Sequence, residues 1–264
     1  MDLGIKGKRA MVAAGTKGIG LACATELAKE GCRVSICARD EAKFAAAADH
    51  IRLEAPDADL HFQVCDVTSR NDLQSWVDEV NQSWGGVDIL VTNTGGPPAG
   101  HWTEMTDDHW QSGFESTVLN VTRMVEMVAP SMKAQGWVRI IHITSVVAKE
   151  PSALLPISST LRSGLMSLTL LQSKELAPYG VTVNGVLPGH TMTDRQVHLA
   201  EVVSARDGIS VEEALVQRGQ TLPVGRLGQA DEIGAAVAFL TSKRASFISG
   251  VNLLVDGGQV NCPP

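Results

Sequence analysis

A glycine-rich loop near the amino terminus constrains the fold of this chain more than any other feature. The segment Ala13-Ala14-Gly15-Thr16-Lys17-Gly18-Ile19-Gly20 follows a short apolar run and opens a segment with helical periodicity. Glycines let the backbone turn sharply and approach a phosphate, and free N–H groups at the start of a helix face an anion. A glycine cluster in the first turn between a strand and a helix therefore predicts a site for the diphosphate of a dinucleotide.

Seven short runs of apolar or β-branched residues recur at regular intervals, separated by segments with helical periodicity. The first such segment places Ile19, Cys23 and Leu27 on one face, and Gly31 is its expected end. Strands that alternate with helices predict right-handed βαβ units and a parallel sheet covered on both faces. We therefore predict one α/β domain over residues 1–264, with a doubly wound, Rossmann-like, parallel seven-stranded sheet. The predicted strands are Arg9–Ala14, Arg33–Ala38, Leu60–Cys65, Ile89–Thr92, Arg139–Thr144, Val181–Leu187 and Asn252–Val255.

The stretch of residues 191–222, after the sixth predicted strand, has the least regular pattern in the chain. It is polar and is interrupted by Gly208 and Gly219. Because ligands bind at the carboxyl ends of strands in such sheets, we predict that this stretch is a flexible substrate lid.

Composition and charge exclude several classes of protein. A net charge of −7 argues against nucleic-acid binding, which normally requires a basic face. The five cysteines contain no Cys-x-x-Cys pair, so we expect reduced thiols and no metal site. No apolar run is long enough for a membrane span, and the amino terminus lacks a secretory pattern. These observations predict a cytoplasmic protein that binds neither membrane nor nucleic acid.

The end of the second predicted strand indicates which dinucleotide is bound. The ordinary pattern places an acidic residue there to bind the adenosine ribose, but this chain has Ala38 followed by Arg39. A small residue and a cation suit a 2′-phosphate, and Lys17 adds a second positive charge. The sequence therefore favours NADP(H), with NAD as the alternative.

Seven segments, in their order and spacing, resemble the short-chain dehydrogenase/reductase family, and in particular its members similar to 3-oxoacyl-ACP reductases. The resemblance extends over essentially the whole chain. Its segments are the glycine loop, Cys65-Asp66-Val67, Asn93-Thr94-Gly95-Gly96, Ile143-Thr144-Ser145, Val183-Asn184-Gly185-Val186-Leu187-Pro188-Gly189, Gly225-Arg226-Leu227-Gly228 and Val255-Asp256-Gly257-Gly258.

The resemblance implies cofactor contacts at matching positions. Asp66 and Val67 would contact the adenine. The family usually begins its glycine loop with Thr-Gly, whereas this chain has Ala14 in the glycine's place. Ala14 is accommodated if its φ is negative, so we expect weakened binding. Further contacts are implied beside the adenosine ribose for Asn93 and Gly95, and beside the nicotinamide for Pro188, Gly189, Thr191 and Thr193.

The resemblance breaks down at the catalytic positions. Family members use a Tyr general acid, a Lys four residues later and a Ser thirteen residues before the Tyr. Counting from Ser145 places Ser158 at the Tyr position and Arg162 at the Lys position. A fourth family residue, an Asn on the preceding long helix, corresponds to Thr117. The resemblance therefore implies Ser145, Ser158 and Arg162 as the catalytic group, with only Ser145 unchanged.

The replacements alter the available proton chemistry. A serine hydroxyl is a poor acid, and Arg162 stays protonated at any working pH. Tyr179, the one tyrosine, lies twenty-one residues beyond Ser158, about 30 Å along a continuous helix, and is expected to be structural. A proton could instead come from ordered water or from Lys149, His190 or His142, of which Lys149 fits an exposed loop and His142 fits the core.

Three hypotheses follow, in decreasing order of support. The first is an NADP(H)-dependent oxidoreductase with a non-standard proton relay, acting on a small or acyl-type carbonyl or alcohol. The second is a redox-silent relative that serves as a binding protein or sensor. The third is lyase chemistry resembling that of halohydrin dehalogenases, which also have Arg at the Lys position but keep the Tyr and lack the nucleotide loop.

The resemblance also implies a homotetramer, formed through helices Asp107–Gln135 and Ser158–Pro178 and the last strand.

Overall fold

The structure, a computed structural model, describes residues 2–261 and confirms the predicted α/β architecture. Within this range, seven strands pair in parallel into one sheet. Most are runs of buried apolar residues, as expected where helices cover both faces of a parallel sheet. The strands are β1 (Arg9–Val12), β2 (Arg33–Ala38), β3 (Leu60–Val64), β4 (Ile89–Thr92), β5 (Val138–Ile143), β6 (Val181–Pro188) and β7 (Asn252–Val255).

The helices lie between the strands and cover the sheet. They are α1 (Gly18–Lys29), α2 (Phe44–Glu54), α3 (Arg70–Trp84), α4 (Asp107–Phe114), α5 (Asn120–Gln135), α6 (Pro156–Leu176), α7 (Asp194–Asp207), α8 (Val211–Gln220) and α9 (Ala230–Thr241).

Both long helices predicted from the sequence have different bounds in the structure. The segment expected to run from Asp107 to Gln135 is divided into α4 and α5 by a π-helical turn at Glu115–Leu119. The later helix begins at Pro156, where proline suits the first turn, and is followed by a 3-10 turn at Ala177–Tyr179.

The strand order creates the crevice in which a ligand is expected. The order is β3-β2-β1-β4-β5-β6-β7, so successive strands add on one side of β1 and then on the other. In open α/β sheets, ligands bind at the carboxyl ends of the strands beside such a switch point. The glycine loop after β1 and Asn93 after β4 meet at this crevice.

Two apolar layers hold the helices against the sheet. On one face, Leu27 of α1 and Val237 of α9 belong to one buried cluster, and on the other face Trp76 of α3 and Met124 of α5 belong to a second. The buried hydroxyl of Ser35 in β2 accepts a hydrogen bond from Nε1 of Trp76 at 2.7 Å. The polar group inside the second layer is therefore satisfied.

The stretch expected to be an irregular lid consists largely of two helices, α7 and α8. Gly208 ends α7 with a φ of +69° in the left-handed region, and Ser210 begins α8 with a capping box to Glu213. Gly219 does not interrupt α8, because it lies within the helix against the backbone of Arg226 and Leu227. Whether the pair of helices moves as a lid stays a prediction.

The cysteines of the described region lie in the core. Cys23, Cys32, Cys37 and Cys65 are buried and unpaired, as the sequence predicted, whereas Cys262 lies outside the described residues. Within residues 2–261, no helix is long and apolar enough to cross a membrane, and no cluster of side chains is arranged to hold a metal ion.

Candidate active site

The glycine loop approaches its neighbours too closely for side chains at its turn. A Cβ at Gly20 would collide with the carbonyl oxygen of Ala14 and lie 2.7 Å from Nδ2 of Asn93. The Asn93 amide donates to the carbonyl oxygens of Ala13 and Ala14 at 3.3 Å each, which fixes the loop to the end of β4. No side chain caps the amino terminus of α1, so its N–H groups remain available to an anion. This geometry fits a diphosphate.

Ala14 departs from the expected backbone conformation. Its φ is +48°, and it is the one non-glycine residue in the described part of the chain with a positive φ. The condition under which Ala14 would be accommodated, a negative φ, is therefore not met. Its physical reason is the sharp turn between β1 and α1, which needs the left-handed region where an L side chain costs roughly 1–2 kcal/mol. The glycine that family members usually carry here would avoid that cost.

Replacing Ala14 with glycine should therefore stabilise the protein. We expect Ala14→Gly to raise the free energy of unfolding by up to about 1 kcal/mol, because relief of left-handed strain exceeds the added freedom of the unfolded chain. Urea unfolding followed by circular dichroism measures the change. Ala13→Gly is the matched control, since buried Ala13 has no positive φ and should lose stability. A loss of stability in Ala14→Gly would contradict the explanation.

The first cavity of the crevice lies beside the glycine loop and β2. Six predicted cofactor residues line it: Thr16, Lys17, Arg39, Asp66, Val67 and Gly95. Ala38 also lines this cavity and leaves room beside Arg39. Lys43 contributes a third cation that our sequence reasoning missed, although it lies only four residues after Arg39 in the sequence. Lys17 pairs with Asp194 at 3.1 Å and Lys43 with Asp40 at 3.5 Å, whereas Arg39 has no ion pair among residues 2–261 and suits an additional phosphate.

The second cavity brings together the three predicted catalytic residues. Ser145, Ser158 and Arg162 line it, and Thr94 and Gly96 belong to the walls of both cavities. The two cavities therefore form one crevice along the carboxyl ends of the strands. The predicted cofactor residues in the second cavity are Ile19, Asn93, Pro188, Gly189, Thr191 and Thr193, whereas Gly15, Gly18 and Gly20 line neither cavity and shape the turn.

Helix α6 and the loop after β5 position the catalytic group. Ser158 and Arg162 are one turn apart on α6 and therefore share a face. Two further serines of α6 anchor the loop that begins at Ser145. The hydroxyl of Ser159 accepts a hydrogen bond from the backbone N–H of residue 152, and the hydroxyl of Ser163 donates one to the carbonyl oxygen of residue 148. Among residues 2–261, the hydroxyl of Ser145 accepts only a long hydrogen bond of 3.4 Å, from the N–H of Val147. It therefore remains available to a substrate oxygen.

Arg162 is a buried cation held by the sheet. Its Nη1 donates to the carbonyl oxygens of Ile143 at 3.0 Å and Thr144 at 2.9 Å. Burial, together with the positive charge of Arg195, lowers the pKa of Arg162 to about 10. The guanidinium therefore stays charged at neutral pH while it lines the cavity.

Of the alternative proton sources, only His190 lines the cavity. Burial, and then the charge of Arg218, lowers the pKa of His190 to about 4, so the imidazole is neutral at pH 7. His142 lies in the core between Thr92 and Gln172, at 2.8 Å from each, and burial lowers its pKa to about 4. Lys149 does not line the cavity. Half-exposed Tyr179 does not line it either, and its ring lies under the ammonium group of Lys133.

Thr117, at the position of the family's Asn, lies in the π-helical turn. It is fully buried, and its hydroxyl has no hydrogen-bond partner among residues 2–261. The amide nitrogen of Asn120, three residues later, is also buried without a partner there. A threonine side chain is shorter than the asparagine that it replaces, so the local polar network differs from the one that the resemblance implies.

Two arginines, one in α7 and one in α8, were missed by sequence reasoning. Arg195 of α7 and Arg218 of α8 line the second cavity with Arg162. The guanidinium of Arg195 donates a hydrogen bond of 3.3 Å to the carbonyl oxygen of Pro97, which lies in the segment after β4. Their charge in a polar stretch was visible in the sequence, but only the folding of both helices over the crevice brings them to one cavity.

Comparison with known proteins decides the family. The family model described as enoyl-(acyl carrier protein) reductase matches residues 13–259. The chain belongs to the short-chain dehydrogenase/reductase family. Its resemblance to 3-oxoacyl-ACP reductases is confirmed by a curated relative, the 3-oxoacyl-(acyl carrier protein) reductase of Salmonella typhimurium. That enzyme is 34% identical over 257 residues, which are 97% of this chain and 99% of the relative.

Solved structures of short-chain reductases have the same fold over the full chain. L-sorbose reductase from Gluconobacter frateurii, complexed with NADPH and L-sorbose, is 29% identical with a TM-score of 0.95 and complete coverage of both chains. An NADPH-bound short-chain oxidoreductase from Pseudomonas aeruginosa PAO1, described as containing an atypical catalytic center, is also 29% identical. Its TM-score is 0.88, with 97% of this chain and 98% of that chain covered. This family member is therefore an oxidoreductase of the NAD(P)-dependent class.

Proposed function

We propose that this protein is an NADP(H)-dependent oxidoreductase that interconverts a carbonyl compound and its alcohol through a non-standard proton relay. One observation carries the proposal: Ser145, Ser158 and Arg162 line a single cavity that continues into the cavity of the glycine loop. The NADPH bound by both structural neighbours described above supports the choice of cofactor.

The roles follow from the chemistry of each side chain. NADPH held along the first cavity, by residues such as Lys17 and Arg39, would supply a hydride to the carbonyl carbon, and the carbonyl oxygen must also receive a proton. The Ser145 hydroxyl donates a hydrogen bond to that oxygen, and the Arg162 charge offsets the negative charge that develops on it. A solvent water would supply the proton, and Ser158 would relay it to that oxygen, directly or through a bound water, in place of the family's tyrosine.

The arginine after β2 should set the preference for NADPH. We expect Arg39→Ser to weaken NADPH binding about 10- to 100-fold, the usual cost of losing a charged hydrogen bond, and to leave NADH binding within twofold. Fluorescence titration of both nucleotides measures the two constants. Arg52→Ser, an exposed arginine of α2 outside the cavity, is the matched control. Equal losses for NADPH and NADH in the Arg39 variant would contradict this role.

The replacement of three of the four family residues favours a second candidate, a redox-silent binding protein. The test is NADPH oxidation at 340 nm over a broad carbonyl panel, for the native protein and for the double variant Ser158→Tyr, Arg162→Lys. The proposal expects turnover by the native protein and a lower rate in the double variant. Tight NADPH binding without turnover in the native protein, and a gain of reductase activity in the double variant, would favour the second candidate.

The assembly and location of the protein stay predictions. A homotetramer is supported by apolar side chains left exposed on α6, at Leu170 and Leu171, and before β7, at Phe247. Size-exclusion chromatography with light scattering should give four times the 28.0 kDa chain mass, and a monomer would contradict the expectation. The cytoplasmic location also remains an expectation from the sequence.

A further inference from the structure

The second cavity concentrates positive charge in a way that the proposed carbonyl chemistry does not require. Arg162, Arg195 and Arg218 line it, and none of its described lining residues is an aspartate or a glutamate. The three arginines come from separate helices, α6, α7 and α8. A neutral ketone or alcohol gains little from three guanidinium groups, and their mutual repulsion costs stability.

Arg218 is the arginine whose hydrogen-bonding capacity is least used. Its Nε is buried and has no hydrogen-bond partner in the described part of the chain. Burial lowers the pKa of Arg218, and its charge in turn lowers the pKa of neighbouring His190. A buried guanidinium N–H without an acceptor is costly, and an acceptor supplied by a ligand in the second cavity would remove that cost.

The cofactor does not account for this arrangement. Ala14 and Thr16 of the glycine loop line the first cavity with the cations Lys17, Arg39 and Lys43, and Arg218 does not. Arg195 contacts the loop that both cavities share, at Gly96 and Pro97, so its charge can serve either ligand. Arg218 lies on α8, in the stretch predicted to be a lid. It lines the second cavity but not the first.

We infer that the substrate carries an oxyanion, either a carboxylate or a phosphate ester. Arg218 binds this anion while the carbonyl group of the substrate lies at Ser145. The inference rests on the proposed function and specifies its substrate class. Arg195 forms the other side of the anion site. A planar guanidinium fork matches the geometry of both carboxylate and phosphate oxygens. Arg218 is thus a specificity-determining residue of the lid.

Matched pairs of carbonyl compounds test the inference. One arm uses 4-oxopentanoate and its methyl ester, and a second uses dihydroxyacetone phosphate and dihydroxyacetone. Calorimetric titration into the protein saturated with NADP⁺ measures binding without turnover, and NADPH oxidation measures kcat/KM. We expect at least one anionic compound to exceed its neutral partner about tenfold or more in affinity. The arm that shows the preference identifies carboxylate or phosphate as the anion.

Variants attribute the preference to the lid. Arg218→Gln should remove the preference for the anion and leave the neutral compound and NADPH affinity within twofold, and Arg218→Lys should restore part of it. Arg206→Gln is the control, because Arg206 is an exposed arginine of α7 that pairs with Asp207 outside the cavity. An unchanged preference in Arg218→Gln would overturn the inference.

The outcomes separate this inference from the proposed function. Anion-selective binding without NADPH oxidation would support the inference and contradict the oxidoreductase. Turnover of neutral and anionic compounds at equal kcat/KM would support the oxidoreductase and overturn the inference. If neither of the two anionic compounds binds, the inference is overturned as well.

Discussion

Replacing Arg162 with glutamine is expected to lower kcat/KM for the best carbonyl substrate by about 100-fold or more. This is the usual cost of removing a fixed group that offsets developing charge. The native guanidinium is buried and is oriented by hydrogen bonds to the carbonyls of Ile143 and Thr144. Glutamine is neutral and shorter, so it cannot offset that charge from the same place.

The same variant should also lose stability, and that loss must be separated from the catalytic one. Two carbonyl oxygens at the end of β5 lose a charged donor, which should cost about 1–3 kcal/mol. Thermal unfolding measures this loss, and NADPH titration reports whether the crevice stays intact. Arg162→Lys keeps the charge and should retain more activity than the glutamine variant. An Arg162→Gln protein that binds NADPH and keeps kcat/KM within twofold would contradict the role of Arg162.

Replacing Ser145 with alanine should lower kcat about 100-fold with little change in KM, since the hydroxyl acts mainly on the charged oxygen of the transition state. Its one hydrogen bond within residues 2–261 is the long bond from Val147, so the fold loses little. Stability and NADPH affinity should therefore stay unchanged.

Ser167→Ala is the matched control for the Ser145 variant. Ser167 lies on α6, is exposed and does not line the cavity, so its replacement should leave kcat unchanged. If Ser145→Ala raises KM alone, the hydroxyl binds the ground state and does not stabilise the transition state. That result would require another donor for the substrate oxygen.

The sheet could be predicted from the sequence because a parallel strand buried on both faces requires an unbroken apolar run. β2, β4 and β7 have the predicted bounds, and β1 ends two residues early because the chain turns at Ala14. The conformation of Ala14 could not be predicted, since alanine ordinarily avoids a positive φ. The π-helical turn at Glu115–Leu119 likewise has no local sequence signal.

Helices α7 and α8 were missed although the sequence contained their signals. Ser210 followed three residues later by Glu213 is a capping box, and Gly208 is a typical residue at the end of a helix. Polar composition outweighed these signals in the sequence interpretation. That Arg195 and Arg218 line the same cavity could not be predicted from the sequence for another reason. Their convergence depends on how α7 and α8 lie over the crevice, which no local pattern encodes.

The most direct test of the central claim is transfer of deuterium from NADPH to a substrate. The protein is mixed with NADPH labelled at the C4 position that donates the hydride, and with the carbonyl panel, and products are analysed by mass spectrometry. Our account predicts an alcohol product one mass unit heavier, formed by the native protein and formed about 100-fold more slowly by Arg162→Gln and Ser145→Ala. Tight NADPH binding with no deuterium in any product would contradict it.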